Sequence, residues 1–401
     1  MSAPAIGLDE HSHIGGRTVR PGVESHLHPA ASFDVSAHAV PTGREEVWRY
    51  TPLKRLRGLH ADASFEPSAI YCTWTEHADV TIRTVGGPPD QEAERRELRG
   101  SSGFVPTDRL SARILAEAPS SLLVDVPDNA VVTEPIVVSL TGTDSAVTEA
   151  GHIVVRFGPY SQADVILAHT GSSTLAHVVE VLAGEGARVS VTSLQEWADD
   201  TVHVAHHHVS VGRDARVKHA ALTFGGDVVR ITTSTAYDGP GGTAELYGLY
   251  YADEGQHLEH RIFIDHDAPN CTSDALYKGA LQGDEAHTVW VGDVLIRKSA
   301  EGTKTYEMNR NLLLTDGARA DSVPNLEIET GEIIGAGHAS SSGRFDDEQL
   351  FYLRSRGIPE DVARRLVVRG FFSEVLRRLG VDALHERITT AIERELAVTG
   401  Q

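Results

Sequence analysis

The stretch GAGHASSSGRFDDEQLFYLRSRG (335–357) sets one histidine, His338, among glycines, alanines and serines and then turns helical. Small neighbours leave an imidazole reachable as a metal ligand or proton carrier, and they equally describe an ordinary surface loop. HVAHHHV (203–209) gathers more imidazoles. On a strand, His206 and His208 share one face while His203 and His207 share the other. Such a pair supplies two ligands where a catalytic metal needs three protein groups, and no third donor lies nearby, so histidines on an exposed sheet face are the simpler expectation. Cys271, in DHDAPNCTSDALYKG, follows a turn with His266 five residues before it. A histidine neighbour can lower a thiol pKa, which allows a sulfur relay; a buried, inert thiol is the other reading. Arg230 in GGDVVR and Arg354 and Arg356 in RSRG could hold anions, but with so many carboxylates present, structural ion pairs are expected. Glu327 and Glu329 share one strand face and are expected only to solvate it.

The chain has 36 basic and 57 acidic residues, so 36 − 57 = −21, a charge that opposes nucleic acid or an anionic membrane as partner. No run of about 18 apolar residues would span a membrane. The first 40 residues lack an apolar signal core and an Arg-rich, acid-free character, which favours the cytoplasm. Cys72 and Cys271 are the two cysteines. They are too few for a disulfide scaffold, and too few to hold an iron–sulfur cluster without help. P-loop, G-x-G-x-x-G, H-E-x-x-H, G-x-S-x-G and C-x-x-C patterns are absent, which weakens the case for a self-contained enzyme.

The elements that must position these groups divide the chain into four. Residues 1–40, rich in Ala, Gly, Ser, Pro and His, are expected to form a mobile tail. Its His11, His13, His26 and His28 are read as incidental. Residues 41–120 are helical and mixed: Trp48, Tyr50 and Leu53 offer an apolar stripe broken at Pro52, and a Gly-Pro-Pro turn follows at 87–89. Residues 121–344 alternate in short Val-, Ile- and Thr-rich runs, whose starts from 187 to 286 are 12 to 17 residues apart. Strand spacing this even suits a β-solenoid, each strand pairing with its counterpart one coil away; a β-sandwich competes. Residues 345–401 switch to a helical period. One helix starts at Pro359 and stops at Gly380, with Val362, Leu366, Phe372, Val375 and Leu379 on one face.

EEVWRYTPL (45–53), GGDVVR (225–230), PNCTSDALYKGAL (269–281), VWVGDVLI (289–296), NRNLLLTDGARADSVPNLEIE (309–329) and GHASSSGRFDDEQLFYLRSRGI (337–358) occur in this order. Across residues 42–380 the chain resembles the SufB/SufD family of iron–sulfur cluster assembly scaffolds. Its few cysteines place it on the SufD side, since SufB carries the sulfur-handling thiols. The resemblance implies a right-handed parallel β-helix flanked by N-terminal and C-terminal helical domains. It implies a non-enzymatic scaffold, paired through the β-helix with a SufB paralogue as a pseudo-symmetric heterodimer; a homodimer is the alternative. It further implies a SufC ATPase docked on the C-terminal helices, where Phe351, Tyr352, Arg356, Phe371, Phe372 and Leu376 are the candidate contacts. The nascent iron–sulfur cluster would form at the interface, held by a SufB cysteine and a SufD histidine, which matches His338, with a flavin possible in the complex. Where the family commonly shows a Cys and Gly-Ala-Thr-Val-Gly, this chain has Gly335 to Gly337 and ASSSG, so a thiol from that loop is missing. A β-helix enzyme acting on acidic polysaccharide and a cupin-like binding module are the competing readings.

Overall fold

The computed structural model describes residues 26–66, 70–86, 91–345 and 347–398; His11, His13 and the 87–89 turn lie outside them. The N-terminal segment runs as turns with short 3-10 helices at Val35–Ala37 and Leu53–Arg55. Strands β1 (Ile70–Trp74) and β2 (Thr81–Gly86) and helices α1 (Glu92–Leu98) and α2 (Arg109–Glu117) follow. Strand β3 (Ser120–Val126) leads into the long β4 (Ile136–Phe157) and β5 (Gln162–Ala183).

Beyond β5 the chain winds between two parallel stacks. One holds β6 (Arg188–Trp197), β8 (Arg216–Phe224), β10 (Thr243–Ala252), β12 (Thr272–Leu281), β14 (Lys304–Leu313) and β16 (Gly335–Arg344). The other holds β7 (Val202–Val211), β9 (Val228–Tyr237), β11 (His257–His266), β13 (His287–Ile296) and β15 (Arg319–Ile328). In the first stack Arg188 pairs with Arg216, Arg216 with Thr243, Thr243 with Thr272, Thr272 with Lys304 and Lys304 with Gly335. One coil is therefore 27 to 32 residues, and the 12–17-residue spacing of the runs is half a coil. This is the expected parallel β-solenoid; pairing across one coil leaves no room for the sandwich.

Alternate side chains of both stacks point inward, and Val191, Val209, Ile231, Leu246, Ile264 and Trp290 join one continuous core. The outer faces are covered as well, so β7 is buried at every position and no polar alternation survives in its sequence. On one side Trp48, Leu56, Leu59 and α2 cover Val178, Val204 and Val228. On the other, α4 (Glu360–Leu379) and α5 (Asp382–Val398) cover Leu222, Phe224, Leu249 and Tyr251. Gly380 ends α4 in the left-handed conformation at φ 68°, a site that favours glycine.

Three expectations are corrected. Residues 26–40 are not a loose tail: Leu27 is buried and His26 lies 3.2 Å from Asp293 of β13. Trp48 is buried and Leu53 sits in a 3-10 turn, so 42–59 folds onto the solenoid without an amphipathic helix. In α4 the buried face is Val368, Phe372, Val375 and Leu379, while Val362 and Leu366 lie more than about 100° away round the helix and face solvent.

Candidate functional site

Strands β15 and β16 end the sheet order, so each leaves one row of backbone groups unpaired among the described residues. Neither strand is buried like its predecessors. Pro324, which has no N–H to donate, is accommodated in β15. Exposed Tyr306, Ile328 and Ile334 rim this end.

His338 sits on β16 directly opposite Glu307 of β14. Glu307 shares its inward parity with Asn309 and Asn311, and it reaches toward Gly292, where a β-carbon would collide with the carboxylate. His338 Nδ1 lies 3.9 Å from Glu307 Oε1; the imidazole is 42% exposed and the carboxylate 1%. Neither carboxylate oxygen has a hydrogen-bond partner among the described residues. Burial, and next the charge of Asp293, push the Glu307 pKa up to about 8. Glu307 is thus protonated at neutral pH, so the 3.9 Å contact is not an ion pair. An arriving cation would favour its ionised form.

On the outer face of the same end, His28 Nε2 lies 3.0 Å from Glu327 and 3.7 Å from Glu329. From the sequence alone, the two glutamates only solvate the strand and His28 is incidental. The structure instead groups all three where they could hold a cation. Asp293 accepts from Asn325 Nδ2 at 2.7 Å beside His26.

Cys271 enters β12 two rungs before His338's strand, about 10 Å back at the usual strand spacing. Its thiol is buried, directed at the carbonyls of Gly239 and Pro269, and burial raises its pKa. His266 is bonded instead to Ser273 Oγ at 2.9 Å. This environment favours the inert thiol over the reactive one.

The histidines of β7 are buried on both faces, not exposed. His206 and His208 point outward, each 2.8 Å from Ser234 Oγ. His203 and His207 point inward. The third donor that the sequence did not reveal comes from β5, as His169 and His177 beside His203. Arg230 forms the expected ion pair, with Glu259 at 3.3 Å and its guanidinium 4.1 Å from the Trp48 ring. Arg354 pairs with Glu360 at 3.2 Å.

The six candidate docking residues separate. Phe351 and Tyr352 are 74% and 56% exposed on α3 (Asp347–Ser355), and Arg356 donates to the Tyr352 hydroxyl at 3.0 Å. Phe371 lies partly buried under Lys278, and Leu376 is partly buried against the solenoid. Phe372 is fully buried, which corrects its assignment: it anchors α4 to this chain's own sheet.

Glu307 and Asp293 were not singled out from the sequence. The signal for Glu307 was present in TYEMNRN (305–311), whose polar residues at every second position mark a polar patch inside a strand.

Residues 140–371 match the family model described as the SUF system FeS cluster assembly, SufBD core domain. An iron–sulfur cluster assembly SufBD family protein of Mycobacterium bovis is 52% identical over 92% of this chain and 92% of its own. The iron–sulfur cluster assembly protein SufD of Escherichia coli is 30% identical over 48% of this chain and 45% of its own; that of Bacillus subtilis is 28% identical over 55% and 50%. Fold, motif order and these likenesses agree: the chain belongs to the SufB/SufD family of iron–sulfur cluster assembly proteins.

Proposed function

We propose that this chain is a SufD-type scaffold subunit on which an iron–sulfur cluster is assembled at the open end of the solenoid, against His338. The observation that carries the reading is the pairing of an exposed imidazole with a buried, unbonded carboxyl on the terminal rung. A neutral imidazole offers one nitrogen to iron, and Glu307 can ionise to balance the incoming charge. Soft donors are what the site lacks, since Cys271 is enclosed and Cys72 lies on β1 at the far end. A SufB-type partner abutting β15 and β16 would supply thiolates and cover the unpaired edges together with Ile328 and Ile334. A SufC-type ATPase would dock on the Phe351–Tyr352 face, so that ATP is used by the partner while this chain remains a non-enzymatic scaffold. Two free, unbridged thiols suit a reducing cytoplasm.

The test is co-expression with the cognate SufB- and SufC-type subunits, followed by anaerobic cluster assembly, comparing His338→Ala with the parent. Unchanged melting and complex formation with a several-fold loss of bound iron and sulfide is the expected result. Equal cluster content in both would overturn the role of His338.

A further inference from the structure

At the other end of the solenoid, three imidazoles converge inside the tube. His169 and His177 lie on β5 and His203 on β7, one coil on, and one nitrogen from each falls within 4.8 Å of the other two. All three residues are at most 2% exposed. Each keeps one ring nitrogen without a partner among the described residues: Nε2 of His169, Nδ1 of His177 and Nε2 of His203. A buried polar atom left unpaired is costly, and three at one point are rarely left so without a ligand.

The second nitrogens of two rings are already held. His169 Nδ1 lies 3.3 Å from the Leu194 carbonyl and 3.2 Å from Gln195 Nε2, and His203 Nδ1 lies 2.9 Å from Gln195 Oε1. With Nδ1 carrying the proton, His169 donates to the Leu194 carbonyl and His203 to Gln195 Oε1, which leaves each Nε2 with its lone pair, the outer-sphere arrangement that metal-binding histidines use. By contrast, His207 and His219 bond each other at 3.0 Å and form only a pair.

We propose that His169, His177 and His203 bind one divalent first-row transition-metal ion inside the solenoid, through three neutral imidazoles. Metal–nitrogen bonds of about 2.0–2.1 Å in tetrahedral geometry need nitrogens about 3.3–3.5 Å apart, a closure that small ring rotations supply. Burial disfavours the charged form of all three rings. A cavity of about 120 Å³, lined by Cys72, Glu149, Gly151 and His177, reaches one of the three rings and marks the side from which an ion would enter. At Gly151 a β-carbon would stand 2.9 Å from the His177 ring, so glycine is what lets that ring occupy its place. This site is independent of the cluster site proposed at His338, which lies at the opposite end.

The test uses the full chain, stripped with chelator and titrated with Co²⁺ and then Zn²⁺. One equivalent of Co²⁺ with a four-coordinate visible spectrum, displaced by Zn²⁺, and a raised melting temperature are expected. His203→Gln and His169→Gln should each weaken binding by at least about tenfold, while His28→Ala and His338→Ala leave it intact. X-ray absorption of the wild-type protein with Zn²⁺ should show three imidazoles, a readout that stands even where a variant fails to fold. No metal uptake by the wild type, carboxylate-dominated ligation, or loss of the equivalent in His28→Ala with retention in His203→Gln would each overturn the proposal.

Discussion

His338 and Glu307 face each other across the last rung of the solenoid, Nδ1 to Oε1 3.9 Å, one side chain 42% exposed and the other 1%. The tube therefore ends on a donor that solvent or a partner can reach, backed by a proton that solvent cannot. The unlike environments come from one geometric fact: β16 has no strand beyond it, whereas β14 is covered by β16.

Glu307→Gln tests that buried proton. A carboxyl with a pKa raised from 4.5 to about 8 holds its proton in the folded chain over a range where the unfolded chain has lost it. The penalty of ionising it thus grows as pH rises from 4.5 and is complete above 8. Its ceiling is about 4–5 kcal/mol. Denaturant titrations at pH 5, 7 and 9 (chosen on the order of that window) should show the stability of the variant gaining on the parent as pH rises. A pH-independent difference would refute the assignment.

Glu259 carries the opposite sign. Burial would raise its pKa, but the Arg230 guanidinium at 3.3 Å, then His257 and Arg261, hold it far below the ordinary carboxylate value. Its contribution is complete above the unfolded pKa and is lost as pH falls through the folded one. Glu259→Gln leaves Arg230 buried without its counter-charge, and a loss of about 3–5 kcal/mol by urea unfolding at neutral pH is expected.

Phe351→Ala and Phe372→Ala should part company. Phe351, 74% exposed, is expected to change stability by less than about 0.5 kcal/mol. Its loss should weaken binding of the ATPase subunit in isothermal titration. Phe372, with no exposed surface, is expected to cost about 3–5 kcal/mol in unfolding. Undiminished ATPase-subunit binding by Phe351→Ala would remove α3 from the docking surface.

Ile334→Lys, at a position 74% exposed beside β16, should leave the melting temperature of the isolated chain unchanged. A lysine on an edge opposes strand pairing with another molecule. Sedimentation velocity should therefore show less association with the SufB-type subunit. Equal association would locate the interface elsewhere.

The solenoid was legible because half-coil spacing is a local property, visible as evenly placed β-branched runs with turn residues between them. The helix stop at Gly380 was legible for the same reason. His338 stood out through the ordered motifs around it, and Phe351 and Tyr352 through the adjoining helix. Less could be read of α4, where Val362 and Leu366 are apolar but lie more than about 100° round the helix from the buried face, at roughly 100° per residue.

From residue order alone came the repeat, the acidic surface, the scarcity of thiols and the family motifs. The tertiary structure decided which groups meet. Glu307 and His338 are 31 residues apart and become neighbours only through the register of one coil. His169 and His177 sit on a strand long enough to pass through two faces, and they meet His203 only once the chain has wound back over itself. In a parallel solenoid, contacts run perpendicular to the chain at a separation set by coil length. Chemistry assembled across rungs therefore leaves no compact motif in the sequence.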